Sequence, residues 1–247
     1  MRRKDRLFDA GAVLFWILLW HVGAVLANRT LLLKIPLPLD TLRTFLRLCG
    51  EGSFWRSVGS SVLHILGGFL SAAILGTAGG AASSASVWFK RLSAPLLRLI
   101  RTVPVAAFIL LAWLWVPSRI LPSFVAALMV LPIVWSHVDA GLASVDEQLP
   151  EMAQVFGMSK RQILTKIRLP LMAPTLRTGC LTGVGIAWKA GIAAEVICNP
   201  TGSIGALLQG AKVAIDYERV FAVTLIVVLL SLLFEYALKL VWREQKR

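Results

Sequence analysis

The sequence predicts an all-α fold, a polytopic membrane bundle of about six transmembrane helices. Its 247 residues are 57% hydrophobic and 16% charged, with a mean hydropathy of +0.75. Soluble domains average about 45–50% apolar and about 25% charged residues, so an ordinary soluble protein is excluded. The apolar residues fall into runs long enough for a helix to cross a bilayer. The net charge of +13 lies between these runs rather than on one soluble face, which argues against nucleic acid as a partner.

Six apolar runs are predicted to span the membrane. The first follows the basic segment MRRKDR, and the sequence Asn28-Arg29-Thr30 after it is a poor cleavage site. We therefore interpret the run as a retained anchor rather than a signal peptide. Pro117-Ser118-Arg119 separates the third run from the fourth. The six runs are residues 8–27, 58–83, 102–116, 120–140, 178–197 and 220–240.

Two pairs of glycines spaced four residues apart predict close helix packing inside the membrane. Gly76 and Gly80 lie in the second run, and Gly179 and Gly183 lie in the fifth. Small residues at this spacing let helix backbones approach one another. The spacing alone does not distinguish packing within one chain from contacts between two copies.

The segment between the first two runs, residues 28–57, carries apolar residues at helical spacing. These residues fit a short amphipathic helix lying on the membrane surface. They are Leu39, Leu42, Phe45 and Leu46. We therefore divide the chain into an N-terminal anchor helix with an external amphipathic segment (1–56), a membrane core (57–242) and a basic cytoplasmic tail (243–247).

The distribution of Lys and Arg predicts the orientation of the chain. Most of these residues lie in segments that share one side if six spans are present. Because basic residues concentrate on the cytoplasmic side of membrane proteins, we expect both termini to be cytoplasmic. The basic segments are residues 2–6, 90–101, 160–177 and 239–247.

The longest polar segment, residues 141–173, lies between the fourth and fifth runs and predicts a helix–turn–helix. Ser144 and Glu147 have the spacing of a capping box, so a first short helix is expected over residues 145–156. Gly157 then supplies a turn that few other residues tolerate. Glu151 is expected to hold the segment locally by hydrogen bonding.

A second helix is predicted to follow this turn. Ser159 and Gln162 form a second capping box, the helix is expected to run to about Arg168, and Pro170 is expected to end it. Its apolar and basic residues lie mostly on opposite faces. Two interpretations remain open: an amphipathic connector resting on the lipid surface, or a docking element for a cytoplasmic partner.

The residues of this segment match the pattern E-A-A-x3-G-x9-I-x-L-P. The segment thus resembles the loop of permease subunits of binding-protein-dependent ABC importers, from which only Met152 departs. The resemblance implies a type I ABC importer permease fold, with a cytoplasmic coupling loop over residues 144–170. The residues that it assigns to coupling with an ATPase are Glu151, Met152, Ala153, Gly157, Ser159, Lys160, Ile167, Leu169 and Pro170.

Further residues resemble the nitrate, sulfonate and taurine branch of this family. Residues 57–76 are similar to the second-span signature of the branch, and residues 99–104 (LIRTVP) to the entry of its third span. Trp115-Val116-Pro117 and Lys189 depart from the branch pattern. The resemblance implies a small polar or anionic solute, such as nitrate, a sulfonate, taurine or a vitamin precursor, and does not choose among them.

The sequence contains no Walker A pattern, G-x-x-x-x-G-K-[ST]. We therefore expect neither a cofactor nor enzymatic activity in this chain, with ATP and Mg bound by a separate subunit. The resemblance implies four partners: an ABC ATPase dimer, a second permease copy in a homodimer, an extracytoplasmic solute-binding protein and the lipid bilayer of a bacterial plasma (inner) membrane. The alternative is a secondary transporter or channel driven by an ion gradient.

Lys189 and Glu195 are candidates for the translocation path, because ionisable residues within membrane runs usually face a cavity or pair with each other. Trp188, which belongs to the resemblance to the branch, is the third candidate. Six helical residues turn through about 600°, so Lys189 and Glu195 do not share a face. Lys189 alternatively snorkels or pairs across helices, and Glu195 alternatively satisfies backbone groups where the fifth span ends. Glu235 is expected to pair with Lys239. The three histidines lie in three different runs, so no metal site is predicted.

Overall fold

The computed structural model describes residues 3–30, 34–146 and 148–244, and within these ranges the regular structure is entirely helical. The all-α prediction is confirmed. The helices are α1 (Arg3–Thr30), α2 (Pro38–Cys49), α3 (Gly52–Ala85), α4 (Val87–Thr102), α5 (Val105–Trp113), α6 (Leu121–Ala143), α7 (Gln148–Val155), α8 (Lys160–Ile163), α9 (Leu169–Cys198), α10 (Ile204–Val213) and α11 (Tyr217–Glu244).

Five stretches of helix are long and apolar enough to cross a membrane, and a bent helix pair brings the number to six. The five are Gly11–Arg29, Gly52–Ala85, Leu121–Ala143, Lys160–Cys198 and Tyr217–Val241. The bent pair is α4 and α5, which meet at 103°. The predicted number of about six spans is therefore confirmed, with one span broken.

The third predicted run, residues 102–116, is wrong as a continuous span. Its helical part, α5, has nine residues and rises about 14 Å, roughly half of the hydrocarbon thickness. Pro104 explains the break, because the residue before a proline avoids helical angles. Val103 accordingly has φ −71° and ψ 128°, so α4 ends before α5 begins.

The centre of the bundle is formed by α3, α6 and α9, and glycines set the spacing of these helices. A Cβ added at Gly76 would lie 2.9 Å from the Cβ of Val134, and one at Gly179 would lie 2.9 Å from the Cβ of His137. A Cβ at Gly183 would lie 3.0 Å from Val130. The glycine pairs therefore make close contacts within one chain, which decides between the two sequence-based interpretations.

The helix after Gly157 does not end at Pro170, contrary to the prediction. Helical structure continues from Lys160 to Cys198, a stretch of 39 residues. A π-helical turn at Leu164–Arg168 makes this possible, with the Leu169 amide donating to the Leu164 carbonyl five residues earlier. The wider turn places Pro170 near the start of a new hydrogen-bonding register, where its missing N–H costs little.

The predicted amphipathic helix in residues 28–57 is confirmed as α2, but three of its four predicted apolar residues do not face the bundle; only the fourth, Phe45, packs partly buried against the core. Thr41, Thr44 and Leu48 are buried, and the Thr44 hydroxyl donates to Glu218 at 3.3 Å. Leu39, Leu42 and Leu46, on the opposite face, are between 46% and 61% exposed. The face of α2 that carries Thr44 packs against α11. The three exposed leucines face the surroundings of the chain.

Candidate functional site

The turn between α7 and α8 has the hydrogen bonding of a Schellman motif. The Met158 amide donates to the Ala153 carbonyl at 3.0 Å, and the Gly157 amide donates to the Gln154 carbonyl at 2.9 Å. Gly157 has φ +79°, a backbone conformation that side chains disfavour. The predicted glycine turn is confirmed. We call residues 148–163 the elbow.

Both ends of the elbow are held by local polar contacts. The Ser159 hydroxyl accepts from the Gln162 amide at 3.3 Å, and the Ser159 amide donates to Gln162 Oε1 at 2.8 Å, which confirms the second capping box. The first predicted box includes Glu147, which lies outside the described residues. The first helix begins at Gln148 rather than at residue 145. At this start, Asp146 Oδ1 accepts a hydrogen bond from the Gln148 amide at 3.0 Å.

One face of the elbow is buried and the other carries large apolar side chains. Pro150, Ala153 and Ile163 are buried, and Pro150 lines a cavity with Leu142 at the end of the bundle. Val155 and Phe156 are 86% and 80% exposed.

We call Met152, Val155 and Phe156 the elbow tip. Met152 is 56% exposed. Sequence reasoning missed Val155 and Phe156; the available signal was two large apolar residues placed directly before the turn glycine, off the buried face of α7.

The remaining predicted coupling residues line the outside of the same segment. Lys160, Leu169 and Pro170 are exposed and Ile167 is half-buried. Glu151 is also exposed, and no described residue donates to its carboxylate, so the expected local anchoring by this residue is not observed. The rigidity of the elbow comes from Gly157 and the Ser159 cap instead.

The three candidates for the translocation path occupy different environments on α9. Trp188 is only 2% exposed; its indole N–H donates to the Val227 carbonyl at 2.9 Å and its ring packs on Phe234. Lys189 is exposed, and within the described ranges it forms no ion pair. The alternative in which Lys189 pairs across helices within its own chain is therefore not observed among these residues.

Lys189 belongs to a stripe of small and polar residues along α9, all exposed except the half-buried Gly185. Successive members are three or four residues apart, so they share one helix face. Between Pro174 and Lys189 the stripe contains no large apolar side chain, unlike a face built only for lipid. We call this set the α9 stripe: Pro174, Thr178, Thr182, Gly185 and Lys189.

Glu195 is 1% exposed and caps the helix that follows α9. Its Oε2 accepts from the Ser61 hydroxyl at 2.8 Å and from the Gly205 amide at 3.0 Å. The Ser61 oxygen in turn accepts from the Ile204 amide at 2.9 Å. These bonds satisfy the first amides of α10, as in the alternative interpretation of Glu195, and tie three helices together.

A polar cavity of about 480 Å³ lies beside Glu195, at the end of the bundle opposite the elbow. We call it the far cavity. Hydroxyl, imidazole and guanidinium groups offer donors to an anionic or zwitterionic molecule. Its lining includes Ser60, His64, Ser118, Arg119 and Thr201.

Groups that could bind a metal do not assemble in the described part of the chain, where no cluster of three or more His, Cys, Asp or Glu residues is found. Charged pairs occur instead. Lys239 Nζ lies 2.6 Å from Glu235 Oε1, which confirms the predicted pair, and Lys90 Nζ lies 2.7 Å from Asp139 Oδ2.

Comparison with known families identifies the class of protein. The model of the family described as binding-protein-dependent transport system inner membrane component matches residues 66–247. The chain therefore belongs to this family. It is a multi-pass inner membrane permease component of an ABC importer, and the alternative of a secondary transporter or channel driven by an ion gradient is set aside.

Individual relatives agree with the predicted branch. The taurine transport system permease protein of Escherichia coli K12 is 28% identical over 221 residues, which cover 86% of this chain and 79% of the relative. A putative aliphatic sulfonates transport permease protein of Bacillus subtilis 168 is 26% identical over 242 residues, covering 98% and 86%. A riboflavin transport system permease protein of Chloroflexus aurantiacus is 26% identical over 218 residues, covering 87% and 80%.

A solved structure supports the fold. A crystal structure of an amino acid ABC transporter with histidines matches with a TM-score of 0.58 and 16% identity, over 83% of this chain and 96% of that chain. The type I permease fold predicted from the loop pattern is consistent with this neighbour.

Proposed function

We propose that this chain forms the translocation path for a small anionic or zwitterionic solute and that a separate ATPase pair drives it through the elbow. The observation that carries this proposal is the elbow tip: large apolar side chains exposed on a turn that is rigidly capped and packed. Exposed apolar anchors on a rigid element are what a docking interface requires. The ATP and Mg belong to the partner ATPase, and a second permease copy and an extracytoplasmic solute-binding protein complete the assembly.

The elbow is joined to the rest of the molecule by one long helix. The stretch Lys160–Cys198 has 39 residues and is about 58 Å long. It begins next to the elbow tip, carries the α9 stripe, and ends at the far cavity. A movement imposed on the elbow therefore reaches the proposed path without crossing a flexible joint, as a shift between two states of a bundle demands.

The solute class is proposed from charge and from the relatives. Lys189 is a cation at the end of the α9 stripe nearest the far cavity, where it would attract an anionic group, and Arg119 and His64 line the far cavity. The relatives named for taurine and for aliphatic sulfonates carry solutes with an anionic sulfonate. We assign Trp188 and Glu195 to supporting the path, since both are committed to contacts inside the bundle.

For the orientation, we propose that the elbow end faces the cytoplasm, with both termini on that side. The basic segments around Lys90 and Lys160 flank the elbow, and basic residues favour the cytoplasmic side. This places the far cavity outside, where a solute-binding protein would deliver its cargo.

Reconstitution tests the proposal directly. The purified chain is placed in proteoliposomes alone, with the ATPase, or with the ATPase and the solute-binding protein, and uptake of labelled taurine, an alkanesulfonate and nitrate is measured. We expect uptake only in the complete system with ATP. Uptake by the chain alone, driven by an ion gradient, would contradict the proposal.

A further inference from the structure

Helix α4 is a separate amphipathic helix with an unusually basic polar face. It carries four cations and no acidic residue, and none of its side chains is buried. At 100° per residue the cations fall within an arc of about 100°, on a different side of the helix from Leu92, Leu96 and Leu99. They are Lys90, Arg91, Arg98 and Arg101.

Two of these cations fix α4 to the bundle. Lys90 pairs with Asp139 at 2.7 Å, and Arg101 donates to the Pro132 carbonyl at 2.6 Å and to the Ser136 hydroxyl. The rings of Phe89 and Trp135 also stack, with interplanar angle 6°. Lys90 and Arg101 are eleven residues apart on α4, but their partners Asp139 and Ser136 are only three residues apart on α6. Helix α4 therefore crosses α6 instead of running along it.

The crossing takes place at the elbow end of the bundle. A cavity of about 280 Å³ is lined by Lys90 and Asp139, by Pro150 of the elbow and by Arg168 of the π-helical turn. The 103° bend between α4 and α5 then directs the chain into the membrane. This is the position of a helix that lies at a membrane interface.

The other two cations have no partner among the described residues. Arg91 and Arg98 are exposed, and no described residue forms an ion pair or a hydrogen bond with either. About 100° around the helix from these two arginines lies a stripe of large apolar side chains, which are between 58% and 72% exposed. The stripe consists of Trp88, Leu92, Leu96 and Leu99.

We propose that α4 binds anionic phospholipid, with the acyl chains against the apolar stripe and the headgroup phosphate held by Arg91 and Arg98. When the stripe enters the hydrocarbon, two unpaired guanidinium groups are placed at the level of the headgroups. Each basic residue near an anionic surface strengthens binding, and guanidinium groups hold phosphate through paired hydrogen bonds.

Charge favours lipid over a second copy of the chain as the occupant. A second copy would bring another net charge of +13 towards a helix that offers no acidic residue. Anionic lipid instead neutralises the two arginines. The binding of lipid is independent of the proposed transport function. The orientation proposed above places α4 in the cytoplasmic leaflet, and that assignment alone rests on it.

Photocrosslinking tests the proposal without ATPase or solute. The full chain is reconstituted with photoactivatable phosphatidylglycerol or phosphatidylcholine, and crosslinks to residues 87–102 are mapped by mass spectrometry. We expect phosphatidylglycerol to be strongly preferred at α4. The double variant R91Q/R98Q should lower this preference about tenfold, while R91K/R98K should keep most of it.

A second pair of variants and a salt titration complete the design. R47Q/R56Q removes the same charge from exposed arginines at the other end of the bundle and should leave the crosslinks at α4 unchanged. Raising the salt concentration should lower the preference of the unmodified chain, which keeps the test valid if R91Q/R98Q fails to insert. Equal crosslinking of both lipids, a preference retained in R91Q/R98Q, or an apolar stripe that crosslinks to a second chain would overturn the proposal.

Discussion

Lys189 and Glu195 are six residues apart on one helix and lie in opposite environments. Glu195 is enclosed between α3 and α10, while Lys189 faces away from the bundle. The difference follows from helical rotation, which places the two side chains on different faces. A polar group on the buried face needs hydrogen-bond partners, and Glu195 has donors from Ser61 and Gly205.

Glu195→Ala should destabilise the bundle. The change leaves the Gly205 amide and the Ser61 hydroxyl without their acceptor, at a cost of about 1–3 kcal/mol. Thermal unfolding of the purified chain in detergent measures the effect. Glu195→Gln, which keeps an acceptor oxygen, serves as the control and should lose less; equal melting temperatures for the Ala variant and the unmodified chain would show that the cap contributes nothing.

Lys189→Met should lower uptake of an anionic solute about tenfold, because an electrostatic attraction to the path is lost. ATPase binding and insertion should be unaffected, since Lys189 is exposed and lies far from the elbow. Lys189→Arg keeps the charge and should retain most uptake. An unchanged rate and apparent affinity in the Met variant would remove Lys189 from the proposed path.

At the scale of elements, the elbow combines a rigid turn with an exposed apolar tip. The Schellman turn at Gly157 and the cap at Ser159 fix the angle between α7 and α8. Ala153 and Ile163 are both buried, and α7 and α8 contact each other. The tip is therefore held in place before any partner binds, which lowers the entropic cost of docking.

Phe156→Asp should weaken docking of the ATPase while leaving the fold intact. The side chain is 80% exposed, so the folded chain loses little. An apolar anchor in an interface is worth about 2 kcal/mol or more, and we expect roughly thirtyfold weaker association. Co-purification of the ATPase and ATP-driven uptake are the measurements.

Gln154→Asp is the matched control for this prediction. It adds the same charge two residues earlier, at an exposed polar position near the end of α7, and it should retain more ATPase than Phe156→Asp. If both variants bind the ATPase equally well, the elbow tip is not the docking surface.

For the whole molecule, close packing of α3 against α6 holds the two ends of the bundle in register. The elbow lies at one end and the far cavity at the other, and α9 runs between them. Motion can pass along α9 only if the helices around it keep their spacing. The glycines on α3 set that spacing.

Gly80→Leu should therefore weaken the whole bundle. Even its Cβ would lie 2.6 Å from the Trp135 carbonyl oxygen, so α3 and α6 must separate. Overpacking of this kind costs about 1–3 kcal/mol or more. Thermal unfolding and protease resistance report the change, and Gly59→Leu, at a position with nothing within 4 Å, is the control. Similar stability of the two variants would contradict the packing argument.

Features that depend on neighbouring residues could be predicted from the amino-acid sequence. Apolar runs predicted the membrane helices, Gly157 predicted the turn, and the spacing of Ser159 and Gln162 predicted the cap. Each of these rests on contacts within a few residues, and short-range patterns encode such contacts. The structure departs from these local expectations at the break of the third span at Pro104, at the π-helical turn before Pro170, at the later start of the first loop helix and at Glu151, which makes no local contact with a described residue.

The tertiary structure decided what depends on distant parts of the chain. Glu195 caps α10 through Ser61, which is 134 residues away in the sequence, and Lys90 fixes α4 by pairing with Asp139 on α6. The exposure of Val155 and Phe156 likewise follows from which face of α7 the bundle covers. Burial is a property of the assembled helices, because a side chain becomes a core residue, a cap or a docking surface only when its neighbours are in place.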